Sequence, residues 1–214
     1  MSKTLILLSG GIDSATVLAI AKNKGEEIIT LSFNYGQKHL KELESADFLA
    51  SYFEVIDHKI INLDLSQWGG SSLTSTKEEI PQNGLTQGVP NTYVPGRNTI
   101  FIAIALSIAE AQQCAQVGLG VNAIDYSGYP DCRPDYIEKF QELISMSSKS
   151  GREGNPIKLW TPLIHMNKTN IIRKAIELGI PIEKTWSCYL GGSTPCGVCD
   201  SCRIRNKAIK EIKL

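Results

Sequence analysis

The sequence has no long apolar run and no excess of charge of either sign. Its most hydrophobic stretch, 100–106, is only seven residues long, whereas a membrane helix needs roughly 18 or more. Lys plus Arg number 22 and Asp plus Glu number 22, so the formal net charge is +0. A neutral chain has no general attraction for a phosphate polymer or an anionic membrane. We therefore expect no membrane partner and no extended nucleic-acid partner.

Signals for export, internal repeats and low-complexity segments are also missing. The apolar run 5–8 ends at Ser9 and is too short for a signal peptide, so we expect a cytoplasmic protein. With 42% apolar and 21% charged residues, the chain of 214 residues can bury a sizeable core. We expect a main domain over 1–184 and a small cysteine-rich tail over 185–214.

Short apolar runs alternate with longer segments of helical periodicity. The runs 4–8, 28–33, 58–63, 117–121 and 157–160 predict strands, and helices are expected over 14–22, 40–53, 98–109, from Pro134 onward and over 167–178. Asp13 or Ser14 can cap the first helix and Asn98 the third. This alternation predicts an α/β fold, doubly wound around a mostly parallel sheet. Such sheets bind ligands at the carboxyl ends of their strands. The segment 64–95 interrupts the pattern and is expected to be a mobile lid or plain disorder.

The segment Ser9-Gly10-Gly11-Ile12-Asp13-Ser14 lies between the first predicted strand and the first helix. Two glycines allow positive φ values and close backbone approach, so that several N–H groups can point into one concavity. The positive end of the following helix and two serine hydroxyls favour an anion there. The sequence therefore predicts a phosphate-binding loop rather than a simple turn.

The chain lacks the Walker pattern and the Gly-x-Gly-x-x-Gly of dinucleotide folds. Its loop instead resembles the pyrophosphate loop of the ATP pyrophosphatases, which cleave ATP between the α and β phosphates. The resemblance implies ATP and Mg²⁺, with Asp13 acting on the magnesium pyrophosphate, although a helix cap would explain Asp13 equally well. The residues expected to bind nucleotide are Leu8, Ser9, Gly10, Gly11, Ile12, Asp13, Ser14, Arg97 and Asn98.

Four cysteines occur within fifteen residues of the tail: Cys188, Cys196, Cys199 and Cys202. The last three have the spacing of a knuckle, which suits a tetrahedral Cys₄ site. The pattern favours a bound Zn²⁺ ion; the alternatives are that the cysteines bind an iron–sulfur cluster or act as redox-active thiols. With all four positions taken by protein, the metal would be structural.

Two further segments are expected to reach the ligand edge of the sheet. The segment 93–98 would place Arg97 and Asn98 at the strand ends. The segment 120–134 follows the fourth strand and crowds aspartates, tyrosines, an asparagine and Arg133 into one loop, which favours substrate binding over a linker.

Together, the segments 8–14, 35–37, 93–98, 120–134, 185–188 and 195–202 resemble the 7-cyano-7-deazaguanine synthases of queuosine biosynthesis, over nearly the whole chain. The resemblance implies a ligase that forms carbon–nitrogen bonds, converting 7-carboxy-7-deazaguanine and ammonia to the nitrile with ATP and Mg²⁺. It implies a Rossmann-like fold with a zinc-binding tail. The implied catalytic residues are Asp13, Ser14, Asp125, Asp131 and Arg133.

Other functions stay open at this point. One is a different ATP pyrophosphatase, either a tRNA-modifying thiolase or an amide-forming synthetase. A thiolase would need catalytic cysteines outside the metal site, and only Cys114 and Cys132 are available. Another is a zinc-knuckle module that binds RNA without catalysis. The oligomeric state is also open, and a homodimer is one possibility.

Overall fold

The computed structural model describes residues 2–82, 88–123 and 128–212. A five-stranded sheet has the order β3-β2-β1-β4-β5, and all of its pairs are parallel. The predicted parallel α/β fold is therefore confirmed. The strands are β1 Lys3–Leu7, β2 Glu27–Asn34, β3 Asp57–Asn62, β4 Gln116–Gly118 and β5 Lys158–Trp160. The helices are α1 Ile12–Asn23, α2 Lys41–Tyr52, α3 Arg97–Ala111, α4 Pro134–Ser147, α5 Lys149–Arg152, α6 Lys168–Glu177 and α7 Asp200–Ile212.

Strand β1 lies at the centre of the sheet because its side chains are apolar on both faces. Leu5 and Ile6 are fully buried, which is typical of a parallel sheet covered on both sides. Leu5 is opposite Ile29 of β2 on one side and Val117 of β4 on the other. The chain runs outward from β1 to β3, then crosses through α3 to β4. A crevice therefore opens at the carboxyl ends of β1 and β4, where ligands bind in such folds.

The helices cover the two faces of the sheet with separate apolar cores. One core contains Leu5 and Leu31 with Ile102 of α3 and Ile144 of α4. The other contains Ile6 with residues of α1, α2, α6 and α7. This arrangement is the doubly wound one that the sequence predicts. Within the described residues, no helix is long and apolar enough to cross a membrane.

Two predicted helix caps are wrong. Helix α1 begins one residue before Asp13, and Gly11 is its N-cap. Helix α3 begins at Arg97, and Gly96 is its N-cap with a φ of 65°. Neither glycine supplies a capping side chain. In α1, the Ser14 hydroxyl is instead bonded to the loop that precedes the helix, so it is not available as a cap.

The segment 64–95 is packed more closely than its composition predicts. Ser71 and Ser72 are fully buried, and Leu73 and Val94 belong to the core beside α3. The Lys38 N–H donates to the Leu73 carbonyl at 3.1 Å. Plain disorder is therefore wrong for the described part of this segment; residues 83–87 lie outside it. The division of the chain at 184 stays a prediction.

Candidate active site

The loop between β1 and α1 brings its hydroxyl groups together at the N-terminus of α1. The Ser9 N–H donates to Ser14 Oγ at 3.1 Å, and the two serine Oγ atoms are also 3.1 Å apart. Ser14 Oγ donates to the Gly11 carbonyl at 3.0 Å, while the Gly11 N–H lies 3.3 Å from Ser9 Oγ. The loop thus presents hydroxyl and N–H donors beside the positive end of a helix, which is a favourable place for a phosphate group.

Gly10 lets this loop lie against α2. Its φ is +82°, and a Cβ atom there would be 2.1 Å from the Glu42 carbonyl oxygen and 2.9 Å from the Ala46 nitrogen. No side chain fits in that space without moving backbone. The second glycine, Gly11, has an extended φ of −78° and allows the closed hydroxyl cluster instead.

Asp13 makes an ion pair that the sequence did not indicate. Lys168 Nζ lies 2.6 Å from both carboxylate oxygens of Asp13, and both side chains are mostly buried. Asn122 Nδ2 donates to the same carboxylate at 3.3 Å. Lys168 is the first residue of α6, and nothing in its sequence surroundings distinguishes it from a solvated helix lysine. Asp13 is therefore held by partners from two distant segments and is more than a helix cap.

These groups line a cavity of about 330 Å³ at the carboxyl ends of the strands, within the size range of small-molecule sites. Lys168 and Asn122 are on its wall. Of the residues predicted to bind nucleotide, all but Gly10 line it: Leu8, Ser9, Gly11, Ile12, Asp13, Ser14, Arg97 and Asn98. The segments 8–14 and 97–98, far apart in sequence, thus meet in one cavity.

Aromatic side chains and a guanidinium form a second part of the cavity wall. Phe33 and Phe101 stack with ring centres 3.9 Å apart. The Arg97 guanidinium lies 5.7 Å from the centre of the Tyr35 ring and 6.0 Å from that of Phe101. Tyr129 and several other residues complete the wall. This wall can hold a flat ring against its aromatic faces and an anionic substituent on its guanidinium.

Glu42, in the first turn of α2, also lines the cavity, and no motif in the sequence marks it as a site residue. Burial raises the pKa of its carboxyl group from 4.5 to about 7, although the positive charge of Arg97 and a hydrogen bond from Gln37 both lower it. Gln37 Nε2 donates to Glu42 Oε1 at 3.1 Å. A carboxyl group that titrates near neutral pH inside a cleft is a candidate for proton transfer.

The segment 120–134 is only partly described, since 124–127, including Asp125, lie outside the described residues. Asp131 is buried, and its Oδ2 accepts the Asn98 N–H at 3.1 Å. Burial raises its pKa. Asn98 Nδ2 lies 3.3 Å from the Asp131 carbonyl oxygen and 3.1 Å from Cys132 Sγ. Arg133 is exposed and pairs with Asp135 at 3.2 Å; it does not line the cavity.

The four tail cysteines converge. Sulfur atoms of Cys188, Cys196, Cys199 and Cys202 all lie within 4.8 Å of one another, close to the roughly 3.8 Å that Zn–S bonds of about 2.3 Å require in a tetrahedron. Burial raises the pKa of the Cys196 thiol, but hydrogen bonds from the N–H groups of Cys199 and Val198 and from the neighbouring thiols outweigh burial and lower it below its usual value. This cluster could hold a metal ion.

The cysteine tail is connected directly to the loop after β1. The Trp186 N–H donates to the Gly10 carbonyl at 2.9 Å, and the Trp186 indole N–H donates to the Cys188 carbonyl at 3.0 Å. Arg205 of α7 donates to the carbonyls of Thr185 and Ile182. A metal held by the cysteines would therefore also fix one wall of the cavity.

Two solved structures are similar in fold. A predicted subunit of a tRNA methyltransferase from Methanocaldococcus jannaschii aligns over 83% of this chain and 75% of its own, with a TM-score of 0.52 and 18% identity. A 4-thiouridine synthetase, solved in complex with RNA and bound ATP, aligns over 99% of this chain and 50% of its own, with a TM-score of 0.54 and 21% identity. At these identities the likeness concerns the fold alone.

Closer relatives are found among curated proteins. A 7-cyano-7-deazaguanine synthase of Prochlorococcus marinus strain MIT 9312 is 62% identical over 208 residues, which are 97% of this chain and 93% of the relative. The protein of the same name from strain NATL2A is 61% identical over 210 residues, covering 98% and 93%. The family model described as queuosine biosynthesis protein QueC matches residues 3–213. The predicted resemblance is thus confirmed, and the chain belongs to the QueC family of queuosine biosynthesis proteins.

Proposed function

We propose that this chain is a ligase that converts 7-carboxy-7-deazaguanine and ammonia to 7-cyano-7-deazaguanine at the expense of ATP. The name and the high identity of the curated relatives support this reaction. The observation that carries the proposal is the single cavity that joins the loop 9–14 to the wall around Arg97. One end suits triphosphate and the other suits a flat anionic substrate.

The chemistry requires activation of a poor electrophile. A carboxylate repels nucleophiles and has no good leaving group, and adenylation of its oxygen corrects both defects. Ammonia then gives an amide, and activation of the amide oxygen lets that oxygen leave to give the nitrile. Donors of the loop and the Lys168 ammonium would stabilise charge on the departing pyrophosphate, the kind of preorganised electrostatic effect that often dominates catalysis. Ser14 would keep the loop donors aligned.

Asp13 fits a magnesium ion through the chemistry of its donor set, since hard cations prefer carboxylate oxygens. With ATP bound, Mg²⁺ would neutralise phosphate charge beside Asp13. Lys168, which pairs with that carboxylate, would then be available to the phosphates. Leu8, Ile12 and Asn98 would line the nucleotide site.

Arg97 would hold the substrate carboxylate, because a guanidinium binds that group with two parallel hydrogen bonds. The aromatic rings beside it would pack against the deazaguanine. Asp125, Asp131 and Arg133 stay as proposed contributors to reading the deazaguanine edge or moving protons. Neither Asp131 nor Arg133 lines the cavity. Asp131 is linked to it through Asn98, whose N–H it accepts at 3.1 Å, whereas Arg133 would have to turn away from Asp135.

The tail cysteines fit Zn²⁺, which prefers four thiolates in a closed tetrahedral site when its role is structural. No position would be left for substrate, so the ion would stabilise the tail. Reduced thiolates and a supply of ATP also favour a cytoplasmic location. The partners would be small molecules, and a homodimer remains a proposal.

One incubation tests the reaction. Purified protein with its metal, ATP, Mg²⁺, ammonium and 7-carboxy-7-deazaguanine should give the nitrile by mass spectrometry, and omission of ATP or ammonium should abolish it. Phosphorus NMR should show pyrophosphate and AMP as the first products. Asp13→Asn should remove the turnover. A wild-type protein that leaves the carboxylate unchanged, or releases ADP and orthophosphate, would refute the proposal.

A further inference from the structure

Glu42 is a cavity-lining acid with a free carboxylate oxygen. Its Oε1 accepts from Gln37 Nε2 at 3.1 Å. In the part of the chain that the structure describes, no Lys, Arg or His nitrogen forms an ion pair with it. The neighbouring acid Glu44, by contrast, is exposed and pairs with Lys41 at 2.5 Å. Glu42 therefore faces the cavity without a cation of its own.

Gln37 is fixed so that only its amide nitrogen can face Glu42. Its Oε1 accepts the Tyr35 N–H at 2.7 Å, and its Nε2 lies 3.3 Å from the Phe33 carbonyl oxygen. These two contacts orient the amide and hold one oxygen of Glu42 in place. The second oxygen, which accepts no hydrogen bond from the described residues, can receive a ligand donor.

Among the described residues, Arg97 and Tyr35 are the charged and titratable groups electrostatically coupled to Glu42. Arg97 is close enough to lower the pKa of Glu42, and Glu42 raises that of Tyr35. Arg97 nevertheless forms no ion pair with Glu42 in the described structure. An anion on Arg97 and a small cation on Glu42 would therefore lie side by side in the cavity.

We propose that Glu42 binds ammonium and accepts a proton from it, which delivers ammonia to the activated carboxyl carbon. This inference rests on the proposed function and assigns it a residue that binds the nitrogen substrate. Ammonium is a compact cation with four N–H donors, so a carboxylate in a small cavity recognises it by charge and by hydrogen bonding. At neutral pH most of the substrate is ammonium, which has no lone pair and cannot attack carbon.

One N–H proton moves from ammonium to Glu42, and its bonding pair becomes the lone pair of ammonia. That pair forms the C–N bond at the acyl adenylate, and the C–O bond to AMP breaks with its electrons on the phosphate oxygen. A second proton passes from the nitrogen to solvent water, and the amide remains. Glu42 returns its proton to solvent before the next cycle, since its pKa of about 7 allows both states.

The experiment measures ammonium use and adenylation separately in Glu42→Gln, with Glu44→Gln as the matched control from the same helical turn. Hydroxylamine, which is largely unprotonated at neutral pH, replaces ammonium in parallel assays and traps the acyl adenylate as a hydroxamate. Thermal unfolding is followed for every variant. The kcat/KM for ammonium is measured between about pH 6 and pH 9, a range that includes the titration of a general base near neutrality.

We expect Glu42→Gln to lower kcat/KM for ammonium by about 100-fold, as for loss of a general base. Its hydroxamate formation should stay within about twofold of wild type, since unprotonated hydroxylamine already has a lone pair and does not need the deprotonation assigned to Glu42; the proton lost after attack goes to solvent. The wild-type inflection near pH 7 should disappear. An ammonium kcat/KM equal to wild type, or a parallel loss of hydroxamate, overturns the role of Glu42. Absence of hydroxamate and nitrile with wild-type protein refutes the proposed function itself.

Discussion

The Ser14 hydroxyl connects both ends of the loop that follows β1. It lies 3.1 Å from the Ser9 nitrogen and 3.0 Å from the Gly11 carbonyl oxygen, and it is buried. Its position in the sequence predicts a helix cap. In the structure, its hydroxyl instead holds the loop in the shape that presents the donors. Its removal should therefore affect function more than stability.

We expect Ser14→Ala to lower the free energy of unfolding by about 1 kcal/mol, the usual net contribution of a hydrogen bond. The ATP-dependent rate should fall at least tenfold. Ser145→Ala is the control, because its hydroxyl donates to the Gln141 carbonyl at 3.1 Å in α4, away from the cavity. Initial rates and thermal unfolding check both variants. Equal rates in the two would show that Ser14 is only structural.

Glu42 should make the folded protein less stable as pH rises. Its folded pKa of about 7 lies above the ordinary 4.5, so between these values the folded state binds more protons than the unfolded state. The free energy of unfolding must then fall with rising pH. Above pH 7 the wild type bears the full cost of a buried carboxylate, and Glu42→Gln does not.

We therefore expect Glu42→Gln to melt a few degrees above wild type at about pH 8, and at nearly the same temperature at about pH 4. Melting curves of wild type, Glu42→Gln and Glu44→Gln at both pH values provide the check. A variant less stable than wild type at high pH would contradict the raised pKa.

At the scale of elements, the loop after β1 and the first turn of α2 must touch. Gly10 places its backbone against Glu42 and Ala46, where a Cβ has no room. The same contact positions Glu42 at the cavity beside the loop donors. The two glycines therefore have different roles. Gly10 allows close packing of the loop against α2, and Gly11 leaves room for the Ser9 hydroxyl, which would lie 3.3 Å from a Cβ there.

We expect Gly10→Ala to unfold at a much lower temperature. The clash with α2 should cost roughly 2 kcal/mol or more of unfolding free energy, because the backbone of α2 must move. This cost adds to the strain of placing alanine at a positive φ. Gly25→Ala separates the two effects. Its φ is +72° and its Cβ would meet nothing within 4 Å, so it should cost only about 1–2 kcal/mol of conformational strain. Denaturant unfolding of both variants measures the difference. Equal losses of unfolding free energy in the two variants would mean that α2 can shift to accommodate a Cβ at residue 10 at little cost.

At the scale of the whole molecule, the tail is part of the cavity. Trp186 is bonded to Gly10 through its backbone and to Cys188 through its indole, and Ser187 and Tyr189 line the cavity. A metal ion on the cysteines would hold these residues against the loop. Folding of the tail and binding of ATP should therefore be coupled.

We expect Cys196→Ala to lose the bound zinc, lower the melting temperature by several degrees and raise the KM for ATP several-fold, because structural zinc supplies folding energy. Cys114→Ala is the control; Cys114 is buried in the core beside α3 and should keep full zinc. Elemental analysis with ATP titration gives the readout. Well-folded active protein with little zinc, or with iron and acid-labile sulfide, would exclude the zinc assignment.

Features of the fold could be predicted from the sequence where they depend on residues close together in the chain. Strand and helix types follow from apolar periodicity, so the parallel α/β fold was predictable. The first residues of the helices were harder to predict, because the N-caps of α1 and α3 are Gly11 and Gly96, which have no side chain to form a cap. Buried contacts of Ser14 with the loop outweigh the usual cap preference. The packed segment around Ser71 and Leu73 was missed because its polar composition hides its burial.

The sequence by itself determined the glycine- and serine-containing loop after β1, the cysteine cluster and the family, because each depends on residues close together in the chain or on their order along it. Only the tertiary structure decided that Lys168 pairs with Asp13 and that Glu42 shares a cavity with Arg97. Each pair joins two different helices, and neither Lys168 nor Glu42 lies in a motif that marks it as a site residue. They meet because parallel strands direct their carboxyl ends, and the segments that follow them, to one edge of the sheet.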